Sequence, residues 1–273
     1  MVNSADKNVL QPTRSQPLIR EERCRLIQQE VSREGLVTVA ALASHLGVSP
    51  MTIRRDLSEL EGQGILTRVH GGAIAADQAG GPVEPPMRER MLRNADEKRQ
   101  IAKVVAAVTL DGETIFIGSG STALAVAEAI RNRRNLTVVT NALTVANALL
   151  HSRGISLIVV GGFLRPSESS LIGHIAERAL QDIRVDKVIM GIGGVDPEHG
   201  LTGDNLQELM TDRAILGTTD TVIVVADHSK LGHVAASMTA PITAATRIVT
   251  GRQAPSEVIR AIRQRGVEVL LVD

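Results

Sequence analysis

The most constraining feature of this chain is a series of short apolar runs that begins after residue 87. Most of the runs are apolar on both faces, which is typical of parallel strands covered by helices on either side. Helical periodicity appears between them, at 121–132, 142–152, 173–183, 204–217 and 255–265. This alternation predicts an α/β, Rossmann-like domain with an open, mostly parallel sheet. The predicted strands are 113–118, 136–140, 155–162, 186–194, 221–227, 247–251 and 267–273.

Composition divides the chain and excludes several classes of protein. Residues 1–17 predict a flexible tail, and the Gly- and Pro-rich stretch 75–86 predicts a linker between compact units at 18–74 and 87–273. Lys+Arg and Asp+Glu are both 30, so any nucleic-acid surface must be local. The single Cys24 excludes an internal disulfide and a cysteine-rich metal centre. Without an apolar run of about 18 residues or a signal peptide, we expect a cytoplasmic protein with no membrane partner. We also expect no metal and no cofactor.

The first compact unit has the pattern of a helix-turn-helix. A helix is predicted over about 18–34, and a second over 39–46 ends at Gly47. Ser49 is the predicted N-cap of a third helix, and Pro50 occupies its first position, where a missing N–H costs nothing. Two helices joined by a short glycine-containing turn are typical of DNA-binding modules.

The third helix, 51–64, carries a face suited to DNA. Ile53, Leu57 and Leu60 form its buried stripe, and Asp56 is expected to pair with an arginine of the first helix. Arginine can bind guanine or phosphate, and Thr and Met suit the thymine methyl group. A solvated helix face is the alternative, because arginines and acidic residues balance over this unit. The predicted DNA-contacting residues are Ser49, Met51, Thr52, Arg54, Arg55 and Ser58.

A short β-ribbon is predicted directly after this helix. Residues 65–73 alternate between apolar and polar side chains and end at Gly71 and Gly72. Such a ribbon would form the wing of a winged helix-turn-helix. Arg68 and His70 are therefore predicted to reach phosphates or a minor groove.

The strongest chemical signal of the second unit is a loop of small residues between a strand and a helix. Glycines admit close approach of a ligand, and the free N–H groups of a helix N-terminus favour an anion. A dinucleotide fingerprint is a weak alternative, because it requires an acid where the next strand ends. A P-loop would require a following Gly-Lys-Ser/Thr. The predicted anion-binding residues are Gly118, Ser119, Gly120, Ser121 and Thr122.

Other polar or small residues follow strands at the same predicted edge of the sheet, where ligands bind in open α/β folds. Lysine would supply a positive charge for a phosphate or a sugar oxygen. Each residue also has a structural interpretation, as a helix cap, a turn or a surface lysine. These further effector-binding candidates are Thr140, Asn141, Gly162, Asp204, Asn205, Glu208 and Lys230.

The stretch LASHLGVSPMTIRRDLSELEGQGILTRVHGGA, residues 42–73, resembles the N-terminal signature of the DeoR family of bacterial transcriptional regulators. The resemblance extends over nearly all of 18–273. It implies a sequence-specific DNA-binding protein, most often a repressor of sugar catabolism that is relieved by a phosphorylated sugar. A homo-oligomer is expected, because operators for such modules are often paired half-sites.

The loop at 118–122 and ADHSK at 226–230 also resemble stretches of ribose-5-phosphate isomerase, whose fold the DeoR sensor domain resembles. The isomerase has an acid-rich DGADE stretch and a lysine–glycine run for acid/base chemistry. Here Asp196 and Glu198 are the acids near the comparable position, and no lysine–glycine run follows. We therefore expect a pocket without a catalyst, and keep a sugar-phosphate isomerase with an accessory DNA module as the alternative. Many family members carry an acid where Gly118 stands, so the ligand contacts differ here.

Overall fold

The computed structural model describes residues 19–63, 65–69, 71–75 and 85–273. The chain divides into two compact units, one up to Ala79 and one from Gly80. The predicted tail at 1–17 and most of the predicted linker at 75–86 lie outside the described residues, and the predicted domain boundaries remain predictions.

The N-terminal unit combines three helices with a small antiparallel sheet in the strand order β1-β3-β2. Its core joins Ile27 and Val31 of the first helix with Ile53, Leu57 and Leu60 of the third. The elements are α1 (Arg20–Glu34), β1 (Leu36–Thr38), α2 (Val39–Leu46), α3 (Pro50–Gly62), β2 (Leu66–Val69) and β3 (Gly72–Ala75).

Local chemistry explains the ends of these elements. The Thr38 side chain caps α2, and Ser49 caps α3 by accepting a hydrogen bond from the Thr52 N–H. The wing differs from the predicted two-stranded ribbon, because β1 pairs with β3 as a third strand. This pairing depends on Gly72, since a Cβ there would lie 2.0 Å from the Val37 carbonyl oxygen.

The C-terminal unit is built around one seven-stranded sheet. Its helices are α4 (Met87–Leu92), α5 (Ala95–Ala107), α6 (Ser121–Ile130), α7 (Leu143–Leu149), α8 (His174–Gln181), α9 (Leu209–Leu216) and α10 (Ser256–Gln264). Its strands are β4 (Thr114–Ile117), β5 (Leu136–Thr140), β6 (Ile155–Val159), β7 (Phe163–Arg165), β8 (Ser170–Ile172), β9 (Lys187–Met190), β10 (Gly194–Asp196), β11 (Gly200–Gly203), β12 (Val222–Val225), β13 (Ser237–Ala240), β14 (Arg247–Gly251) and β15 (Glu268–Val272).

All seven predicted strands belong to this sheet, in the order β15-β14-β12-β9-β4-β5-β6. Every pairing in it is parallel, which confirms the predicted α/β class. One apolar cluster on the sheet includes Phe116 and Val188, and another includes Ile115 and Ile189. Because neighbouring residues of a strand point to opposite faces, the two clusters cover the two sides of the sheet.

Several elements were not predicted from the sequence. They are α4, α5, the β7-β8 hairpin, and the small antiparallel sheet of β10, β11 and β13. The helix predicted over 204–217 begins only at Leu209, so Asp204 and Asn205 lie in the preceding loop. None of the helices in the described part of the chain combines the length and apolar character that a membrane crossing requires.

Candidate functional site

The outer face of α3 presents the predicted DNA-contacting side chains to solvent. Met51 is 69% exposed, and Arg54, Arg55 and Ser58 are exposed as well. No ion pair or hydrogen bond within the described residues involves the side chain of Arg54 or Arg55. Both guanidinium groups are therefore available to bases or phosphates without breaking an internal contact.

A buried ion pair fixes α3 against α1. Arg23 Nε donates to Asp56 Oδ2 at 2.6 Å, and Arg23 Nη2 donates to Oδ1 at 3.0 Å. The hydrogen bond to Asp56 raises the pKa of Arg23, although burial opposes this shift. The predicted pairing of Asp56 with an arginine of the first helix is confirmed, and it keeps this acid away from the DNA-facing side.

The wing is joined to the same face of α3. Arg68 Nη1 donates to Ser58 Oγ at 2.6 Å, and the Arg68 backbone N–H donates to Glu61 Oε1 at 2.9 Å. Ser49 and Thr52 form a hydroxyl pair at 2.9 Å at the helix N-terminus. The predicted contact residue His70 lies outside the described residues.

A cavity of about 270 Å³ opens at the carboxyl ends of the central strands of the large sheet. It lies where ligands bind in open α/β folds. The predicted effector-binding residues that line it are Gly118, Ser119, Gly120, Ser121, Thr122, Asp204, Asn205, Glu208 and Lys230.

The loop between β4 and α6 forms one wall of this cavity. Gly120 has φ +108°, a conformation that side-chain-bearing residues rarely adopt, and it precedes the first turn of α6. The N–H groups of a first helical turn lack intrahelical acceptors and point towards the helix entrance. Gly191 packs against the loop, since a Cβ there would lie 3.0 Å from the Ser119 carbonyl oxygen. The loop therefore has the geometry of an anion cradle.

The structure does not bring Thr140, Asn141 and Gly162 into the cavity lining, contrary to the expectation that all strand ends would meet there. Thr140 Oγ1 donates to the Ile117 carbonyl at 2.7 Å, and Asn141 Nδ2 donates to the Leu171 carbonyl at 3.1 Å. These side chains instead attach the C-terminal end of β5 to its neighbours. Gly162 lies so close to β8 that a Cβ would be 2.8 Å from the Ile172 carbonyl oxygen.

Four cations from different elements face the cavity: Arg90, Arg93, Lys98 and Lys230. Only Lys230 was predicted, because the other three lie in or between α4 and α5. Lys98 Nζ lies 3.6 Å from Asp227 Oδ2, and both side chains are buried. Burial alone would raise the pKa of Asp227, but hydrogen bonds from Ser229 and the charge of Lys98 hold that pKa below its usual value. These contacts favour the carboxylate form of Asp227 beside Lys98.

Another part of the cavity lining is acidic. Asp204, Glu208 and Asp212 line it, and Arg165 Nη1 binds Glu208 Oε2 at 2.7 Å. Burial, together with the neighbouring charge of Glu208, raises the pKa of Asp212 well above its ordinary value. Carboxyl oxygens accept hydrogen bonds from ligand hydroxyl groups, and a protonated carboxyl group also donates one. Within the described residues, no cluster of three or more side chains is arranged to hold a metal ion.

Family comparisons match both units of the chain. Residues 23–79 match the DeoR-like helix-turn-helix domain, and residues 93–252 match the DeoR C-terminal sensor domain. The chain belongs to the DeoR family. The resemblance inferred from residues 42–73 is thereby confirmed, as is the assignment of a DNA-binding transcriptional regulator. Members of the DeoR family are regulators and not enzymes, so the isomerase alternative is not supported.

Named relatives in the family extend over most of this chain. The putative aga operon transcriptional repressor of Escherichia coli O157:H7 is 33% identical and covers 92% of this chain and 93% of its own. The glycerol-3-phosphate regulon repressor of Escherichia coli K12 is 35% identical and covers 88% and 94%. Among solved structures, ribose 5-phosphate isomerase A from Methanocaldococcus jannaschii superposes on 50% of this chain and 54% of its own, with 19% identity and a TM-score of 0.38.

Proposed function

We propose that this DeoR family member represses a sugar-catabolic operon in the cytoplasm and is released from its operator by a phosphorylated sugar. The observation that carries the proposal is the composition of the cavity lining, which combines an anion cradle at 118–122 with the carboxyl groups of Asp204, Glu208 and Asp212. A phosphorylated polyol carries the complementary groups, a phosphate at one end and hydroxyl groups along its length. The relatives named for the aga operon and the glycerol-3-phosphate regulon support this assignment.

In the proposed complex, α3 enters the major groove and the wing follows the adjacent backbone. Arg55 is exposed in the first half of α3 without an internal partner. We expect Arg55→Ala to weaken binding to DNA from the chain's own promoter region by about 1–3 kcal/mol if Arg55 reads a base. Arg25→Ala on α1 removes the same charge from another exposed site and serves as the control. Equal losses from both variants, measured by fluorescence anisotropy of labelled DNA, would count against this docking.

The effector is proposed to place its phosphate at the cradle beside Lys230 and its hydroxyl groups at Asp204, Glu208 and Asp212. A dye-based thermal-shift screen of pentose, hexose and triose phosphates tests this directly, because the chain has no Trp or Tyr. We expect one class of sugar phosphate to raise the melting temperature and to release promoter DNA. Lys230→Met should weaken the shift, and Lys103→Met on the exposed side of α5 should not. Rapid turnover of any of these compounds would overturn the proposal.

The same chain is proposed to act as a homo-oligomer, because paired half-sites require paired reading modules. Strand β6 is an edge strand with its backbone groups open to pairing, and none of its side chains is charged. Natural proteins usually protect such an edge with charges or cover it. A second copy related by a two-fold axis can pair with the same edge antiparallel to it. The exposed apolar residues beside this edge are Ile158, Val159, Phe163, Leu164 and Ile175.

Phe163 is 72% exposed beside this edge and provides the test. We expect Phe163→Asp to lower the oligomer mass measured by light scattering, because it places a charge in the proposed interface. Leu110→Asp alters another exposed apolar residue, 61% exposed, away from β6 and serves as the control. An unchanged mass for Phe163→Asp would place the interface elsewhere.

A further inference from the structure

The helix that follows the predicted linker lies at the cavity. Residues Arg90 and Arg93, at the end of α4 and directly after it, belong to the cavity wall, as does Asn94 before α5. The chain between β3 and α4 is short, since β3 ends at Ala75 and α4 begins at Met87. α4 is therefore the first described helix after the segment that joins the two units.

Lys98 holds the C-terminal end of α4 in place. Its Nζ donates to the Arg90 carbonyl at 2.5 Å and to the Arg93 carbonyl at 2.8 Å. The last carbonyl groups of a helix lack intrahelical donors, so a lysine ammonium group here acts as a C-terminal cap. The same ammonium group lies 3.6 Å from Asp227 Oδ2 at the cavity.

A second contact ties α4 to the β7-β8 hairpin. Arg90 forms an ion pair with Glu168, which lies between β7 and β8; the Glu168 side chain is buried and the Arg90 side chain is partly buried. The pair connects residues 78 positions apart in the chain. Together, Lys98 and the Arg90–Glu168 pair hold α4 across one side of the cavity.

We propose that Lys98 binds the anionic group of the effector while it caps α4, so that effector binding stabilises α4 against the cavity. The inference rests on the proposed effector site, and goes beyond it by naming the residue that links that site to the linker. Lys98 is then a ligand-contacting residue, whereas Glu168 is a positioning residue that acts through Arg90.

The charge balance around Lys98 supports this role. Burial lowers the pKa of Lys98, and Asp227 opposes that shift, while the positive charges of Arg90 and Lys230 add to it. Among the charged groups that shift this pKa, one is negative, Asp227, and two are positive, so further negative charge at this point favours the ammonium form. A phosphate dianion at the cradle supplies that charge, so the ammonium form and the bound anion favour each other.

Hydrogen exchange in the full-length protein tests the inference, with inorganic phosphate as the probe. We expect phosphate at ten times its dissociation constant to slow exchange of the α4 amides, 87–92, roughly tenfold, as linkage requires when the opening of α4 abolishes binding. Lys98→Met should remove this dependence on phosphate and speed exchange of α4 without ligand. Lys103→Met, on the exposed face of α5, the helix that carries Lys98, should behave as the wild type.

Glu168→Gln is a second variant that leaves Lys98 and its contacts intact. We expect the α4 amides of this variant to exchange faster than those of the wild type when no ligand is present. Phosphate should still raise its melting temperature, because the cradle and Lys98 remain. This variant keeps the test valid if Lys98→Met does not fold.

The outcomes separate this inference from the proposed function. If phosphate raises the wild-type melting temperature but leaves α4 exchange unchanged, the effector site stands and the role of Lys98 is refuted. Retained protection of α4 by phosphate in Lys98→Met refutes it as well. If neither phosphate nor any sugar phosphate changes the melting temperature, the proposed effector site is wrong and the inference fails with it.

Discussion

Removal of Asp56 should destabilise the DNA-binding unit far more than removal of another acid on the same helix. The Arg23 and Asp56 side chains are 11% and 3% exposed, and two hydrogen bonds join them. Asp56→Ala leaves the guanidinium group buried without its counter-ion, which typically costs about 3–5 kcal/mol. Because each 1.4 kcal/mol is a factor of ten, the folded fraction relative to the unfolded falls by roughly a hundredfold to several thousandfold.

The same two helices provide a matched control. Arg20 of α1 pairs with Glu59 of α3, and these side chains are 58% and 33% exposed. Ion pairs exposed to this extent contribute about 0–1 kcal/mol, because water screens them. Glu59→Ala, like Asp56→Ala, removes an acid of α3 that pairs with an arginine of α1. Because this pair is exposed, the substitution should have little effect on the free energy of unfolding.

Differential scanning calorimetry of the full chain measures both variants. A unit of this size buries a limited core, so a loss of several kcal/mol approaches its whole stability. We expect the transition of the N-terminal unit to move to low temperature or disappear in Asp56→Ala, with loss of promoter binding and an unchanged sensor transition. The double variant Arg23→Met/Asp56→Leu should recover much of the stability, since it leaves no unpaired charge. Equal shifts for Asp56→Ala and Glu59→Ala would refute the reasoning.

Two further predictions concern single groups. Asp212→Asn should raise the free energy of unfolding in urea at pH 8, because the raised pKa of Asp212 means that its ionisation disfavours the folded state. The gain should vanish as pH falls towards 3.8, the ordinary pKa of this group, where it is protonated in both states. Gly72→Ala should lower the free energy of unfolding by about 1–3 kcal/mol, and with it the melting temperature, because the alanine Cβ would meet the Val37 carbonyl. Gly71→Asn should be tolerated better by the same measurement, since asparagine adopts the φ of +84° found there.

The sheet and the recognition helix could be predicted because their signals are local. Strands β9 and β12 are buried along their whole length, and their runs KVIM and VIVV show this directly in the sequence. The cap by Ser49 and the first-turn Pro50 likewise depend on residues adjacent in the chain. The β4–α6 loop was found for the same reason, as a strand, a glycine-rich turn and a helix in succession.

The rule that strand ends meet at one edge was less reliable for individual side chains. The end of β5 does lie at the expected edge of the sheet, but Thr140 and Asn141 bond to neighbouring backbone instead of lining the cavity. Which of several polar groups faces a ligand depends on the hairpin β7-β8, whose presence the strand pattern did not indicate. Position along a strand thus predicts the edge, but not the direction of the side chain.

The missed wall of the cavity has a different cause. Helix α5 does carry a buried stripe, Ile101, Ala102 and Val105, and acids in its first turn, so its existence was accessible from the sequence. The burial of Lys98 was not, because a lysine between polar residues is ordinarily solvated, and its partner Asp227 is more than a hundred residues away. The residue proposed to couple effector to linker is therefore one that only the folded chain reveals. Burial of the Lys98 cation beside the carbonyl groups at the end of α4 is costly, and a ligand that supplies negative charge at that point gains binding energy by relieving the cost. This is the physical reason why the sensor's response is expected to pass through α4.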